Sequence, residues 1–386
     1  MRVRTLGEIC DVVSGGTPSR SKPEYWQGGT IPWIKIGNIK GKHVSEADEY
    51  ITQAGLEGSS AKMLPSGTIL YTIFATLGEV GILDIDACTN QAVAGITIKD
   101  SSIVLTDYLY YYLKSKKSYV NNIGRGVAQN NINMAILRGF EVRLPSADEQ
   151  KGIIEILDRI RHLIEVRQQE LSALDDLIKA RFVEMFGDPV ENPREWPTRP
   201  FLEMGSCKNG MNFHYDDCWV EIHCLGVGDF QDHSIIADTT SLPMVSLNEM
   251  PSAEYLLRDE DIVFVRSNGN KALVGRSVAV YPGQIPTTFS GFCIRYRKQD
   301  DSITTPYLLR VLKSDSMRAK MAGRGANIQN LNQQILGTLV IPVPPIKLQN
   351  QFAAFVREID KSKDAIKKSL AETQTLFDSL MQKYFG

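Results

Sequence analysis

The chain predicts an α+β protein: two similar globular portions with short-stranded, mixed or antiparallel sheets, separated by two long antiparallel coiled-coil helices under a pseudo-twofold internal repeat. Three observations lead there. From Ala147 to Gly187, apolar residues recur at alternating spacings of four and three, at Ile153, Leu157, Ile160, Ile164, Leu171, Leu174, Ile178 and Met185, interrupted by Arg167 and Arg181. This is the heptad seam of a long helix that packs on a partner. The seam returns 199 residues later, so that Ile153 becomes Phe352, and continues through Val356, Ile359, Ile366, Leu370, Phe377, Leu380 and Tyr384 with Lys363 and Thr373 as polar members. Both copies stop on Phe-Gly. The register also reaches back before the helices, because Asp107 to Gly187 aligns without a gap on Pro306 to Gly386, pairing Tyr108 with Tyr307 and Pro145 with Pro344. A period this long marks duplication of a large unit rather than a solenoid array.

These regularities divide the chain into residues 1–145, a helix over 146–187, residues 188–345 and a helix over 346–386. One amphipathic helix cannot bury its stripe alone, so the two copies are expected to pack on each other, antiparallel if a pseudo-twofold relates the halves. At 1.5 Å per residue each would be a rod of roughly 60 Å. The alternative, each helix lying on its own domain, explains the stripe but not two equally long, regular copies.

In order along the chain, Leu6 to Val13 reads as a strand or short helix. Gly15-Gly16, Pro18 and Pro23 then enforce a long ordered loop before a strand at Ile31 to Ile36. A turn and an alternating β run occupy 64–74, two or three strands occupy 80–98, and Asp107 to Ser118 is helical. Residues 188–200, with four prolines, form a linker, after which the pattern returns with drift: RPFLEMGSCKNG mirrors RTLGEICDVVSG, IHCLGVGDF mirrors IPWIKIGNI, and LRDEDIVFVR mirrors LPSGTILYTI. Insertions are thus confined to the globular portions, and the helices stay in register. One scaffold was kept while two surfaces diverged.

Composition limits the function classes. With 386 residues, 43% hydrophobic and 23% charged, the chain is of ordinary globular type and of two or three domains. It has no run of eighteen apolar residues and its first residues lack a signal-peptide core, so no membrane partner and a cytoplasmic location are expected. Six cysteines without a CxxC pair read as reduced thiols. His214, Cys218, His223 and Cys224, with Cys207 upstream, crowd one stretch but lack the tight ligand pairs of a zinc site, so no metal is expected. The net charge of −2 argues against a protein that only grips phosphates; weak DNA binding alone and strong binding within a complex are expected.

A rod presenting two related but unlike domains suits a target read at two places with fixed spacing. Double-stranded DNA fits, since successive major grooves on one face lie about 34 Å apart. The stretch SGGTPSRSKPEYWQGGTIPWIKIGNI, and the GRG, QNNIN, LP and EQ elements leading into a long helix, repeated once, closely resemble the specificity subunits of type I restriction-modification systems. The resemblance covers the whole chain. It implies two target-recognition domains that bind a bipartite DNA sequence with an unread spacer, and two modification subunits that methylate an adenine in each half-site. It further implies two restriction subunits, with S-adenosylmethionine and Mg/ATP held by those partners and no cofactor in this chain. The second half departs from the family's usual loop, with KNGMNFHYDDCWVEIHCLGVGDF in its place.

Candidate DNA contacts follow from residue chemistry. In the first loop Thr17, Ser19, Arg20, Ser21 and Lys22 can hydrogen-bond or neutralise phosphate, with Tyr25 and Trp26 as anchors, and Lys35, Asn38 and Lys40 come next. Trp26 and Trp33 also suit a core. Asn90 and Gln91 are of the type that pairs bidentately with adenine, although a strand-end role fits equally. In the second half Lys208, Asn209, Asn212, His214 and Tyr215 replace the first loop, and Arg266, Ser267, Asn268, Asn270 and Lys271 form a polar turn after an apolar strand. Arg125 and Arg324 sit between paired glycines, which either bring backbone close to phosphate or serve a turn. Asn133 and Asn332 are expected N-caps.

Catalysis by the chain itself is not expected. GxGxxG, GxxxxGK and HExxH are absent, and Pro344-Pro345, preceded by Val343 and followed by Ile346, is not the Asn/Asp-Pro-Pro-aromatic motif of an adenine methyltransferase. A non-enzymatic alternative is a coiled-coil scaffold with two peptide- or partner-binding domains.

Overall fold

The β-branched and aromatic runs form three sheets per half, of five, three and two strands. A computed structural model describes residues 2–124, 131–212, 219–230, 234–322 and 330–386. The chain divides into two compact units, residues 1–168 with 368–386, and residues 169–367.

In the first unit a five-stranded sheet runs in the order Cys10–Ser14, Val93–Ile98, Ile69–Thr72, Val80–Leu83, His43–Val44. A three-stranded sheet is ordered Glu49–Ile51, Ile31–Ile34, Cys88–Thr89. Arg2–Thr5 pairs separately with Glu141–Leu144. The pairings His43–Val44 with Val80–Leu83 and Ile31–Ile34 with Cys88–Thr89 are parallel, and the others are antiparallel. Strand Ile69–Thr72 is buried on both faces, as a central strand rich in branched and aromatic residues should be.

The second unit repeats this connectivity. Its five strands run Gly205–Asn209, Cys293–Lys298, Asp261–Val265, Ser277–Val280, Ile235–Ile236, and its three run Met244–Leu247, Val220–Leu225, Thr287–Phe289. Thr198–Pro200 pairs with Val340–Pro342. Parallel and antiparallel pairings fall in the same places. The duplication expected from the register therefore extends through portions where the sequence offsets drift.

The segment Leu6 to Val13 resolves into a helical turn, Leu6–Ile9, followed by strand Cys10–Ser14. The first loop strand is shorter than expected, Ile31–Ile34, because Ile36–Asn38 tightens into a 3₁₀ turn. Asn133 and Asn332 are N-caps, each accepting a backbone N–H at 2.8 Å.

The long helices span Ala147–Phe186 and Ile346–Phe385, 40 residues each. A glutamine fastens each to its domain just inside the first turn. The buried Gln150 carboxamide accepts from the Leu105 N–H at 2.9 Å and donates to the Ile103 and Pro145 carbonyls. Gln349 does the same with the Thr304 N–H at 2.8 Å and the Ser302 and Pro344 carbonyls. Buried amides with every group satisfied fix geometry as well as energy.

All expected seam residues are buried or half-buried, whereas Ile156, Leu163, Leu177 and Leu376, off the seam, are exposed. In the second unit Asp175 meets Lys363 at 2.6 Å, Arg181 lies over Phe355, and Phe182 packs on Phe352 with ring centroids 5.5 Å apart. Partner numbers fall as those of the first helix rise, so the pair is antiparallel. In the first unit Arg167, a polar member of the seam, donates to the Ser369 carbonyl and the Thr373 hydroxyl. There Leu157 and Ile160 share one core with Phe377, Met381 and Phe385, again antiparallel. The core of each unit lies between its five-stranded sheet, the helix Thr106–Ser115 or Thr305–Lys313, and the long helices.

Candidate nucleic-acid interface

The first loop leaves strand Cys10–Ser14 through Gly15, where a Cβ would come within 2.2 Å of the Thr89 hydroxyl, so only glycine passes. Trp33 is buried and donates its indole N–H to the Gly16 carbonyl at 2.9 Å. Half-buried Trp26 meets it edge-on at 5.1 Å. Tyr25 packs against Gly55 and Gly58 and its carbonyl accepts from Thr52 at 3.0 Å, so it anchors the loop from beneath.

The loop's charges are organised by Glu49. Arg20 stacks on the Trp26 ring at 3.6 Å and pairs with Glu49 at 2.5 Å, while Lys35 pairs with the other Glu49 oxygen. The Lys35 hydrogen bond, against an opposing push from burial, holds the Glu49 carboxyl below its ordinary value, with Arg20 adding to the effect. Two expected phosphate contacts are thereby held in place by one carboxylate and partly neutralised. Lys22 hydrogen-bonds the Tyr25 hydroxyl at 2.9 Å, Ser19 and Ser21 bond each other at 2.8 Å, and Lys40 is exposed. Asn38 accepts the Lys35 N–H at 2.9 Å and so closes its own turn.

At one end of the five-stranded sheet, five segments meet through backbone hydrogen bonds. Gly15 N–H donates to Val93, Gly16 to Thr89, Ile73 to Ala92, Ile132 to Ile73, and Asn90 to Ile34. The second unit builds the same frame with Gly210 to Cys293, Met211 to Phe289, Arg266 to Phe292, Leu331 to Arg266, and Ser290 to Leu225. The side chain at the head of the turn matches as well, since Asn90 accepts the Ala92 N–H and Ser290 accepts the Phe292 N–H, both at 3.2 Å. Equal backbones carry unequal side chains. Ile73, Phe74 and Ala75 in the first unit stand where Arg266, Ser267 and Asn268 stand in the second, and Asn90, Gln91 and Ala92 stand where Ser290, Gly291 and Phe292 do.

Gln91 is exposed and bonded to the Thr17 hydroxyl. Half-buried Arg266 donates to the Gly291 carbonyl at 3.3 Å. Asn212 is exposed and its amide covers Gly291, where a Cβ would be 2.1 Å away. Ser267 forms a bridge with Asn330, the counterpart of the bridge between Phe74 and Asn131. Asn268 and Asn270 fold the following turn by accepting the Asn270 and Ala272 N–H groups. Lys208 pairs with Glu254 at 2.7 Å over the Tyr255 ring, and Asn209 accepts from Gln333. The structure therefore brings Thr17, Asn90 and Gln91 together on one rim and Asn209, Asn212, Arg266 and Ser267 on its counterpart. Arg20, Lys35 and Lys208 are held by carboxylates. Arg125, His214, Tyr215, Arg324 and the Lys271 side chain lie outside the described residues.

Of the exposed aromatics outside the expected contacts, Phe74 at 38% exposure and Phe292 at 61% border these rims, and Trp219 at 80% precedes strand Val220–Leu225. For Phe74 and Phe292 the available signal was positional, an aromatic directly after a buried strand or in a turn where a polar residue would suit solvent. Among the described residues no His, Cys, Asp and Glu groups assemble a metal site. Cys207, Cys224 and Cys293 are thiols that burial pushes up, the first two to about 12, and His223 bonds the Leu242 carbonyl. No described helix is long and apolar enough to cross a membrane.

Two copies of one frame with unlike side chains define an internally duplicated protein. Residues 1–175 and 247–374 match the type I restriction modification DNA specificity domain, and the chain belongs to that family. It is 32% identical over 230 residues to the type I restriction enzyme MjaIX specificity subunit of Methanocaldococcus jannaschii, covering 54% of this chain and 52% of the relative. The EcoR124I/EcoR124II specificity subunit of Escherichia coli is 28% identical over 192 residues, 45% of this chain and 47% of that one. The chain thus spans about half the length of these two relatives. The StySPI specificity subunit of Salmonella potsdam is 23% identical over 406 residues, 98% of this chain and 86% of its own. A solved type I restriction-modification S subunit from M. genitalium shares the fold with a TM-score of 0.54 at 17% identity, covering 100% of this chain and 96% of that one. A chain from a structure of type I R-M complex assembly gives 0.58 at 15%, covering 100% and 97%.

Proposed function

We propose that this chain is the DNA sequence-specificity subunit of a type I restriction-modification complex, in which each unit reads one half of a bipartite double-stranded DNA target. The observation that carries this is the shared frame of backbone hydrogen bonds with different side chains on it. Such a frame keeps docking geometry constant while base-edge contacts change. The paired 40-residue helices set the spacer. The chain itself carries out no chemistry. Two modification subunits supply adenine methylation with S-adenosylmethionine, two restriction subunits supply cleavage with Mg/ATP, and the complex works in the cytoplasm.

Glu49 supports a division of labour with those partners. Arg20 and Lys35 are already paired, which fits weak phosphate binding by the chain alone and a need for partners to close around the duplex. The test is exchange of residues 1–145 for the same portion of a relative, followed by sequencing of adenine methylation in cells that carry the partner subunits. One half of the methylated motif should change. A change in both halves, or no motif at all, contradicts the proposal.

A further inference from the structure

The frame common to the two units exposes a reversal in what each loop carries. In the first unit the segment after strand Ile69–Thr72 presents Phe74, and the adjoining turn presents the amide of Gln91. In the second, the segment after strand Asp261–Val265 carries half-buried Arg266, whose guanidinium donates to the Gly291 carbonyl, and the adjoining turn presents Phe292. Each rim therefore combines one exposed phenylalanine with one long polar side chain, on neighbouring segments joined by the same hydrogen bond: Ile73 to Ala92, or Arg266 to Phe292. Ala75 takes a left-handed φ of 59° immediately after Phe74, so the chain turns sharply once past the ring.

Each ring is exposed on the rim that carries the candidate base readers, and phenylalanine is among the residues that make apolar contact with a base edge. Gln91 and Arg266 have the chemistry of major-groove readers, glutamine for adenine and arginine for guanine. A ring set on the same rim enters the same groove. There the apolar group on a base edge is the C5-methyl of thymine.

Resting on the DNA-reading role proposed above, we infer that Phe74 and Phe292 are specificity-determining residues, each packing on a thymine methyl in its own half-site. Phe74 serves the first half-site and Phe292 the second. Each rim then reads by one apolar and one hydrogen-bonded contact, carried on exchanged segments of the shared frame.

The experiment uses the full chain assembled with its modification subunits, on the duplex that its own methylation motif defines. Uracil replaces thymine position by position, which removes the methyl and leaves pairing intact. Wild-type complex should methylate about fourfold more slowly with uracil at one position in each half-site, the worth of one buried methyl. Phe292→Ala should abolish the thymine-uracil difference in the second half-site alone, and Phe74→Ala in the first alone, with the melting temperature unchanged for Phe292→Ala, whose ring is 61% exposed. Leucine at either place should restore part of the difference. Equal rates on thymine and uracil throughout, half-sites lacking a T·A pair, or variants that lose rate while still distinguishing the two bases would overturn the inference. A wild-type complex with no bipartite motif would instead remove the DNA-reading role itself.

Discussion

Phe385, at the end of the second long helix, packs its ring 5.2 Å from that of Tyr108, and Phe186, at the end of the first, packs 4.8 Å from Tyr307. The two contacts are copies of each other, since Tyr108 and Tyr307 occupy equivalent places and so do Phe186 and Phe385. The helix that follows one globular portion in sequence ends in the core of the unit formed around the other. An apparently simple tandem repeat is therefore interlocked: each unit is completed by a segment belonging to the opposite half of the chain.

Interlocking predicts long-range destabilisation from a terminal residue. Phe385→Ala should cost about 3–4 kcal/mol in the first unit and shift its unfolding in a two-step denaturation profile while leaving the second step in place. Phe186→Ala should do the reverse. Domain-resolved hydrogen exchange reads both.

The first unit also contains a charge cluster that ties the long helix to the globular portion. Lys42 is buried and reaches Asp158 at 2.7 Å and Asp107 at 2.5 Å, while the Tyr111 hydroxyl donates to Asp158 at 2.5 Å. Burial alone would raise the Asp158 carboxyl, but Lys42 and Tyr111 outweigh it and hold it low. A carboxyl held low in the folded state contributes stability that is complete above its unfolded value, about 3.9, and is lost as pH falls through the folded value. Acid unfolding of the first unit should therefore steepen below about pH 4. Lys42→Met should cost about 2 kcal/mol at neutral pH, discounted because both carboxylates are partly exposed, and should flatten the acid limb. An unchanged limb would show that Asp158 is not the titrating group.

Glu49 offers a separate handle on DNA affinity. Glu49→Gln removes the charge that neutralises Arg20 and Lys35, so the assembled complex should bind non-specific duplex more tightly, with a salt dependence steeper by up to about two phosphate contacts. Weaker binding at every salt concentration would show that the carboxylate's main role is to position the loop.

Much of this architecture was legible in sequence because the signals were periodic. The seam from Ile153 to Ile178 and its copy from Phe352 to Phe377 required nothing beyond helix geometry, and the gapless pairing of Tyr108 with Tyr307 located the duplicated core. The rim was less legible for a physical reason. Asn38 and Asn90 have the chemistry of contact residues, yet their side chains bond nearby backbone, a choice that depends on local φ and ψ rather than residue type. Lys35 reads as a phosphate ligand until Glu49, on the adjacent strand, is seen beside it. Phe74 closes an alternating strand pattern and Phe292 follows a turn, and the exposure of both emerges only once the neighbouring strands are placed.

Insertion of seven residues into the middle of both long helices tests the central claim most directly, because one heptad preserves the seam while adding about 10 Å to each helix. Adenine methylation by the assembled complex should then define the same two half-sites with a spacer longer by about three base pairs at 3.4 Å each. An unchanged spacer, with the complex still active, would contradict the account.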